Sequence, residues 1–276
     1  MPATKLSTIS VNKPWGRHTL WPGFEAVPAD GEPVGEIWYQ VAKGAPEPEL
    51  LVKYLFTSER LSIQVHPDDD DARAAGYAQG KDEAWLILAA DPGATIALGT
   101  RYPVSRAELR AAALDGSIET LMDWRGAKAG DVIYSPAGTV HAIGAGLTLI
   151  EVQQNLDLTY RLYDYGRPRE LHLDAGIAVS NPVPFVDSPA PVQGTPDREI
   201  LVEGGKFVIE RLFGDREHMV SLPTPAWIIP VTGGGAIDEQ SFTAGECWMI
   251  EGQVAVSLEM GSDVLLAYPG AERAIF

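Results

Sequence analysis

The feature that most constrains the fold of this chain is a succession of short apolar runs separated by turn residues. "GEIWYQVA", "LLVKYLF", "LSIQVH", "EAWLILAA", "ATIALG", "DVIYSP" and "LTLIEVQ" follow one another through the first half. Between them lie well-dispersed glycines and prolines, 28 and 21 in the whole chain. Short apolar runs bounded by such residues read as strands, and many short strands in one chain pack as a sandwich or a barrel. Helical signals are few. "DDDDARAAGYA" follows Pro67 and places carboxylates at the positive end of a short helix. Its four aspartates lack the alternating spacing and terminal glutamate of a calcium loop. "SRAELRAAALDG" predicts a second helix, with Ser105 and Glu108 as a capping box and Gly116 as its stop. "SIETLMDW" predicts a third. The expected fold class is mainly β, with a few short helices inserted in the first half.

The chain has 276 residues, of which 45 % are hydrophobic, enough for one large domain or two small ones. Five prolines in "PVPFVDSPAPVQGTP" (Pro182–Pro196) mark a linker. After it come further strand-like runs, among them "REILVEG", "KFVIERLFG", "HMVSL", "AWIIPVTG" and "DVLLAYPG". A weak echo links the halves. "KAGDVIYSPAGTVHAIGAGLTLIEV" parallels "TAGECWMIEGQVAVSLEMGSDVLLAY", with His141 after the turn of the first copy and Val254, Ala255 and Val256 in the second. We expect two related β-barrel units, 1–185 and 186–276, of which only the first keeps a polar interior.

No apolar run approaches the roughly 18–20 residues of a membrane span, and the N-terminal stretch lacks the apolar segment of a secretory signal. The single cysteine, Cys247, excludes a disulfide within the chain, so the expected location is cytoplasmic. A formal net charge of −17 disfavours nucleic acid and anionic membranes as partners. It leaves room for a small anion held by a local cluster of Arg and Lys.

The most informative strand is "SIQVHPDD". Ser62, Gln64 and His66 share one face, while Ile63 and Val65 take the other. A lone strand histidine is usually a hydrogen-bonded core residue, but His66 has company. Gln64 lies beside it, Glu83 opens the strand of "GKDEAWLIL", and His141 follows the turn of "SPAGTVHAIG". Two imidazoles and a carboxylate suit Zn²⁺ or a similar divalent ion, and a glutamine carbonyl can complete the set without adding charge. The ion would keep about one net positive charge and could polarise a substrate oxygen. Barrel interiors are normally apolar, as Val254 and Val256 suggest for the second copy, so polar residues in the first need a reason.

A second polar stretch is "LIEVQQNLDLTYRLYDYGRPRELHL". Glu151 and Gln153 share a parity, as do Thr159, Arg161 and Tyr163. A solvated face with an exposed ion pair accounts for it equally well. The functional alternative is an anion site, in which the fork of Arg161 binds phosphate or steadies an enediolate. Lys81, two residues before Glu83, would add a second positive charge. No glycine-rich phosphate loop of the Walker or Rossmann type precedes a helix, so side chains must hold any phosphate.

Six blocks together carry a family resemblance: "KPWG", "GEIW", "LSIQVHPDD", "GKDEAWLIL", "PAGTVHAIGAG" and "EVQQNLDLTYRLYDYGR". In this order, over roughly the first 170 residues, they resemble the class I mannose-6-phosphate isomerases in their short bacterial form. The resemblance implies a cupin-type protein with one zinc in the first jelly-roll barrel. The family's metal ligands fall on Gln64, His66, Glu83 and His141. Its catalytic arginine falls on Arg161, the acidic position beside the site on Glu151, and its active-site serine and lysine on Ser62 and Lys81. The usual Gly-Lys-Thr-Glu is Gly-Lys-Asp-Glu here, and the last third of the chain matches little. The implied activity is an aldose–ketose isomerisation of mannose 6-phosphate and fructose 6-phosphate through a cis-enediol. Arg161 would steady the enediolate or the phosphate, and Lys81 and Ser62 would place the phosphate or sugar hydroxyls. Glu151 is the leading carboxylate base, with a zinc-bound water and Lys81 as the other candidates. The partner would be a small sugar phosphate, and the chain a monomer or weak homo-oligomer. The rival readings are a cupin isomerase of another sugar or sugar phosphate, a non-catalytic sugar-binding cupin, and a His-liganded iron oxygenase on the same fold, against which the glutamine ligand and the cationic neighbours argue.

Overall fold

Burial on both faces explains why several strands read as almost unbroken apolar runs. In Glu83–Ala90, Trp85 and Ile87 point to one side, Ala84 and Leu86 to the other, and all four are buried. Leu50–Phe56 and Leu147–Gln154 alternate in the same way. A sheet covered on both sides needs apolar residues at both parities, which hides the usual alternation. The computed structural model describes residues 3–187, 191–195 and 197–271 and is mostly β.

These three strands lie in a six-stranded sheet ordered Ser7–Arg17, Val34–Gln40, Leu50–Phe56, Leu147–Gln154, Glu83–Ala90 and Val132–Ser135. One face packs on a five-stranded sheet ordered Tyr160–Tyr163, Ile63–Val65, His141–Ile143, Thr95–Thr100 and Met122–Gly126, through Trp85, Ile87, Ile96, Leu98, Ile143 and Leu149. The other face packs on a nine-stranded sheet from the second half of the chain, through Val52, Tyr54, Leu86, Val152, Phe207, Ile209 and Trp227. The outer face of the five-stranded sheet is covered by Leu109, Ala113, Ile118 and Ile177 from helices Arg106–Asp115, Ile118–Leu121 and Leu173–Val179. The nine-stranded sheet takes in one strand from the start of the chain, Ala3–Lys5, against Trp248–Leu258. Among the described residues, no helix is long and apolar enough to cross a membrane.

The capping box at Ser105 and Glu108 and the left-handed Gly116 (φ 83°) are as expected. Helix Asp69–Ala74 starts at Asp68, whose side chain accepts from the amides of Asp70 and Asp71. Other expectations need correction. The third helix stops at Leu121, because Met122–Gly126 pairs with Thr95–Thr100 as a strand. "HMVSL" and "AWIIPVTG" are one strand, Glu217–Thr232, whose prolines fall at register shifts after Leu222 and Pro230. A bulge lets a strand continue past a residue that cannot donate. Part of the expected linker, Val192–Thr195, is an edge strand against Arg198–Glu203; 188–190 and 196 of that stretch lie outside the described residues.

The two copies of the internal echo diverge where it matters. In the second, Trp248–Leu258 runs unbroken and buries Val254 and Val256. In the first, the chain leaves the six-stranded sheet at Ser135 and enters the five-stranded sheet at His141. This crossing brings His141 to the interior between the sheets.

Candidate metal centre and its cavity

His141 and Arg161 are both cross-strand neighbours of Gln64, so three polar side chains stand in a row on the inner face of the five-stranded sheet. From the opposite sheet comes Glu83, with Gln153 beside it. His66, Glu83 and His141 are each at most 2 % exposed, and their ligand atoms all lie within 4.8 Å of one another. His66 Nε2 is 3.3 Å from Glu83 Oε1, and His141 Nε2 is 3.4 Å from Oε2. The tautomers follow from the other ring nitrogens. His66 Nδ1 faces the carbonyl of Leu158 and His141 Nδ1 that of Thr139, each at 2.9 Å. A nitrogen facing a carbonyl must carry the proton, so both Nε2 lone pairs aim at a carboxylate that is itself only an acceptor.

Acceptors facing acceptors in a buried space are unfavourable unless a cation lies among them. Lys81 answers part of this need, with Nζ 2.9 Å from Glu83 Oε1 and 3.5 Å from His66 Nε2. Even so, neither Glu83 oxygen accepts a well-aligned hydrogen bond. The three groups fit a divalent ion and can hold one. Gln64 is oriented differently from a ligand: its Nε2 faces His141 Nε2 at 3.3 Å, while its Oε1 accepts from Ser62 Oγ at 3.1 Å. A half-turn of the amide would exchange the two atoms.

Charge sets the protonation states. Burial alone would raise the Glu83 carboxyl, but Lys81, His66 and His141 outweigh it and hold it well below the usual range. Burial pulls Lys81 down, but Glu83 and Glu151 keep it above the ordinary lysine value. Glu151 is raised by burial and then by Glu83, against Lys53 and Lys81. Burial and Lys81 push His66 down to about 4, against the pull of Glu83. An unfolded histidine titrates near 6.5, so between about 6.5 and about 4 the unfolded chain takes up a proton that folded His66 refuses. The urea midpoint of metal-free protein should therefore fall as pH is lowered through that window. A midpoint that stays level or rises there would remove the buried neutral state of His66.

The cluster opens into a cavity of about 190 Å³ that includes Ser62, Gln64, Lys81, Glu83, Glu151, Thr159 and Arg161 in its lining. Trp85 Nε1 donates to Glu151 Oε2 at 3.0 Å, and Lys53 Nζ lies 3.3 Å from Oε1. Arg161 Nη1 donates to the Glu170 carbonyl at 2.7 Å, while its Nε is buried without a hydrogen-bond partner. Tyr163 does not join them. A register shift between Arg161 and Tyr163 breaks the expected parity and turns Tyr163 to the helix side, against Tyr165.

Several lining residues escaped the sequence reading: Lys13, Glu36, Trp38, Lys53, Asp157 and Arg169. Lys53 left a signal, as a charged residue inside the otherwise apolar "LLVKYLF". It is 5 % exposed, and its Nζ lies 4.4 Å from the centre of the Trp38 ring. Five basic and four acidic side chains line the cavity, so it is locally cationic in a chain of net charge −17.

No family model matches the chain. It is 33 % identical over 230 residues to the mannose-6-phosphate isomerase ManA of Bacillus subtilis, covering 79 % of this chain and 69 % of that protein. It is 42 % identical over 136 residues to a mannose-6-phosphate isomerase of Streptococcus mutans, covering 47 % of this chain and 43 % of that protein. Less than half the length of the Streptococcus protein is thus represented in the match. The crystal structure of mannose 6-phosphate isomerase from Bacillus subtilis is similar with a TM-score of 0.83 at 24 % identity, covering 97 % of this chain and 100 % of that one. At that identity the likeness speaks for the fold.

Proposed function

The chain belongs to the mannose-6-phosphate isomerase family, and from that premise we propose that it interconverts mannose 6-phosphate and fructose 6-phosphate. The observation that carries the proposal is the locally cationic cavity ending at a buried His66–Glu83–His141 cluster. Such a cavity suits a phosphorylated sugar whose reacting end meets the cluster.

We assign His66, Glu83 and His141 as ligands of a divalent ion, with Gln64 as the fourth after its amide turns. The nitrogen and carboxylate donors favour zinc. When bound, the ion supplies a Lewis-acidic charge toward the sugar oxygens. The remaining work belongs to side chains. The reaction moves one proton from C2 to C1 and another from the C2 hydroxyl to the C1 oxygen, with no outside oxidant or reductant. Glu151 is the leading group to take and return the carbon-bound proton, since its raised pKa brings it closer to neutral pH. Trp85 and Lys53 fix its two oxygens. Lys81 is the other candidate for proton transfer and also pairs with Glu83. Arg161 steadies either the enediolate or the phosphate, and Ser62 positions a sugar hydroxyl. We read 1–185 as the metal-bearing unit and 186–276 as a degenerate barrel without ligands, in a cytoplasmic monomer or weak homo-oligomer.

The test is a coupled assay with mannose 6-phosphate, free mannose and glucose 6-phosphate, run before and after chelation with metal analysis of the same sample. The proposal expects turnover of mannose 6-phosphate alone, its loss on chelation and its return with zinc. Full turnover by demonstrably metal-free protein would overturn the metal assignment. Preference for another sugar would favour a related isomerase, and binding without turnover a non-catalytic cupin.

A further inference from the structure

Lys81 and Glu83 sit on a short segment, Gly80–Glu83, that must hold three charged side chains in a buried place, Asp82 being the third. Its fastenings reach beyond the first half of the chain. The Lys81 amide donates to the Pro67 carbonyl at 3.0 Å, next to His66. Gly80 packs so closely that an added Cβ would lie 2.5 Å from the carbonyl carbon of Asp68. The Gly80 amide donates to Asp69 Oδ1 at 2.8 Å, which also accepts from Gln154 Nε2 at 3.0 Å. Gln154 Oε1 in turn accepts from the Asp82 amide at 3.0 Å. Both routes meet at Asp69, and its other oxygen, Oδ2, is 2.7 Å from Lys206 Nζ.

Lys206 belongs to the nine-stranded sheet, in the turn between Arg198–Glu203 and Phe207–Leu212. The same turn touches the segment by a second path. Phe207 meets the Tyr134 ring edge-on at 5.6 Å, and the Tyr134 hydroxyl donates to the Asp82 carboxylate. Gly204 lies against that ring, where an added Cβ would stand 2.1 Å from it. One hairpin of the second half therefore holds Asp69 and Tyr134, and each of these holds Gly80–Glu83. Burial raises the Asp69 carboxyl, but the bonds from Lys206, Gly80 and Gln154 outweigh it and keep its pKa at about 2.

We propose that Lys206 is a positioning residue that acts through Asp69 to hold the Gly80–Glu83 segment, and with it Lys81 and Glu83, in place at the cavity. This gives the second half of the chain a part in the site although none of its described residues lines the cavity. The link to turnover rests on the isomerase reading; the link to the segment does not.

The experiment is amide hydrogen exchange on Lys206→Met, Lys206→Arg and Asp69→Ala, with zinc affinity and a KM-against-kcat comparison on the same samples. Lys206→Met should speed exchange at Gly80 and Asp82 about threefold, within the range of a partly exposed ion pair. Asp69→Ala should speed it about tenfold or more. Adding Lys206→Met to Asp69→Ala should change nothing further, as expected for groups acting in series. Lys206→Arg should restore the wild-type rates, and amides of Leu50–Phe56 should stay unchanged throughout. Zinc affinity and kcat should fall with the segment's protection while KM holds. Unchanged exchange at Gly80 and Asp82 in Lys206→Met, or an equal rise across Leu50–Phe56, would overturn the proposal. Wild-type protein inactive on mannose 6-phosphate but showing the exchange pattern would overturn the isomerase reading and leave the positioning role standing.

Discussion

Glu83→Gln is expected to abolish isomerisation and to weaken zinc binding by more than a hundredfold. The substitution keeps the shape of the side chain, so it tests charge. Among the described residues, Glu83 is the carboxylate toward which both imidazole lone pairs and Lys81 converge. Loss of an outer partner of a ligand typically costs about 10–100-fold in affinity or activity. Loss of the anionic group at the centre should cost more. The variant also leaves the Lys81 ammonium, 4 % exposed, without its nearest counter-ion. Removing one partner of a buried pair commonly costs about 3–5 kcal/mol, but Glu151 also stabilises charged Lys81 and softens that loss. Metal analysis and turnover of the same folded sample decide the matter. Stoichiometric zinc with near-normal kcat in Glu83→Gln would remove Glu83 from the centre.

Most strands were legible because burial on both faces leaves runs too apolar for surface and too short for core helices, as in "LLVKYLF" and "EAWLILAA". The shared face of Ser62, Gln64 and His66 was legible for a simpler reason: parity is local. His141 was suspected from its place after a turn between strands, and its apolar counterpart region in the echo strengthened the case. What was not legible depends on geometry that develops over several strands. The bulge after Arg161 turns Tyr163 away, and no residue there announces it. The strand Glu217–Thr232 continues past its prolines because register shifts accommodate them. The aspartate run shows the limit most clearly. Asp68 caps the helix as local chemistry dictates. Asp69, the next residue, is tied to Gly80, Gln154 and Lys206, partners 11, 85 and 137 positions away.

Arg161→Ala is expected to lower turnover by about 10²–10³-fold, the range for losing one preorganised donor to a developing negative charge. Its effect on stability should be near 1 kcal/mol, because the side chain's hydrogen bond runs from Nη1 to the Glu170 carbonyl. The buried, unpartnered Nε supports a role toward a ligand, since a guanidinium kept only for structure would satisfy that donor. The kinetics then separate the two roles assigned to this residue. If Arg161 steadies the enediolate, kcat and kcat/KM should fall together while KM stays level. If it holds the phosphate, KM should rise, and inorganic phosphate should lose its ability to compete. Arg161→Lys sharpens the distinction: an ammonium can replace a point charge near phosphate but not the planar fork with its neighbouring donors. Partial rescue by lysine therefore speaks for the phosphate, and none for the enediolate. Near-normal kcat and KM together in Arg161→Ala would remove this residue from both roles and pass the anion to Lys53, Lys13 or Arg169, the other cations of the cavity beside Lys81.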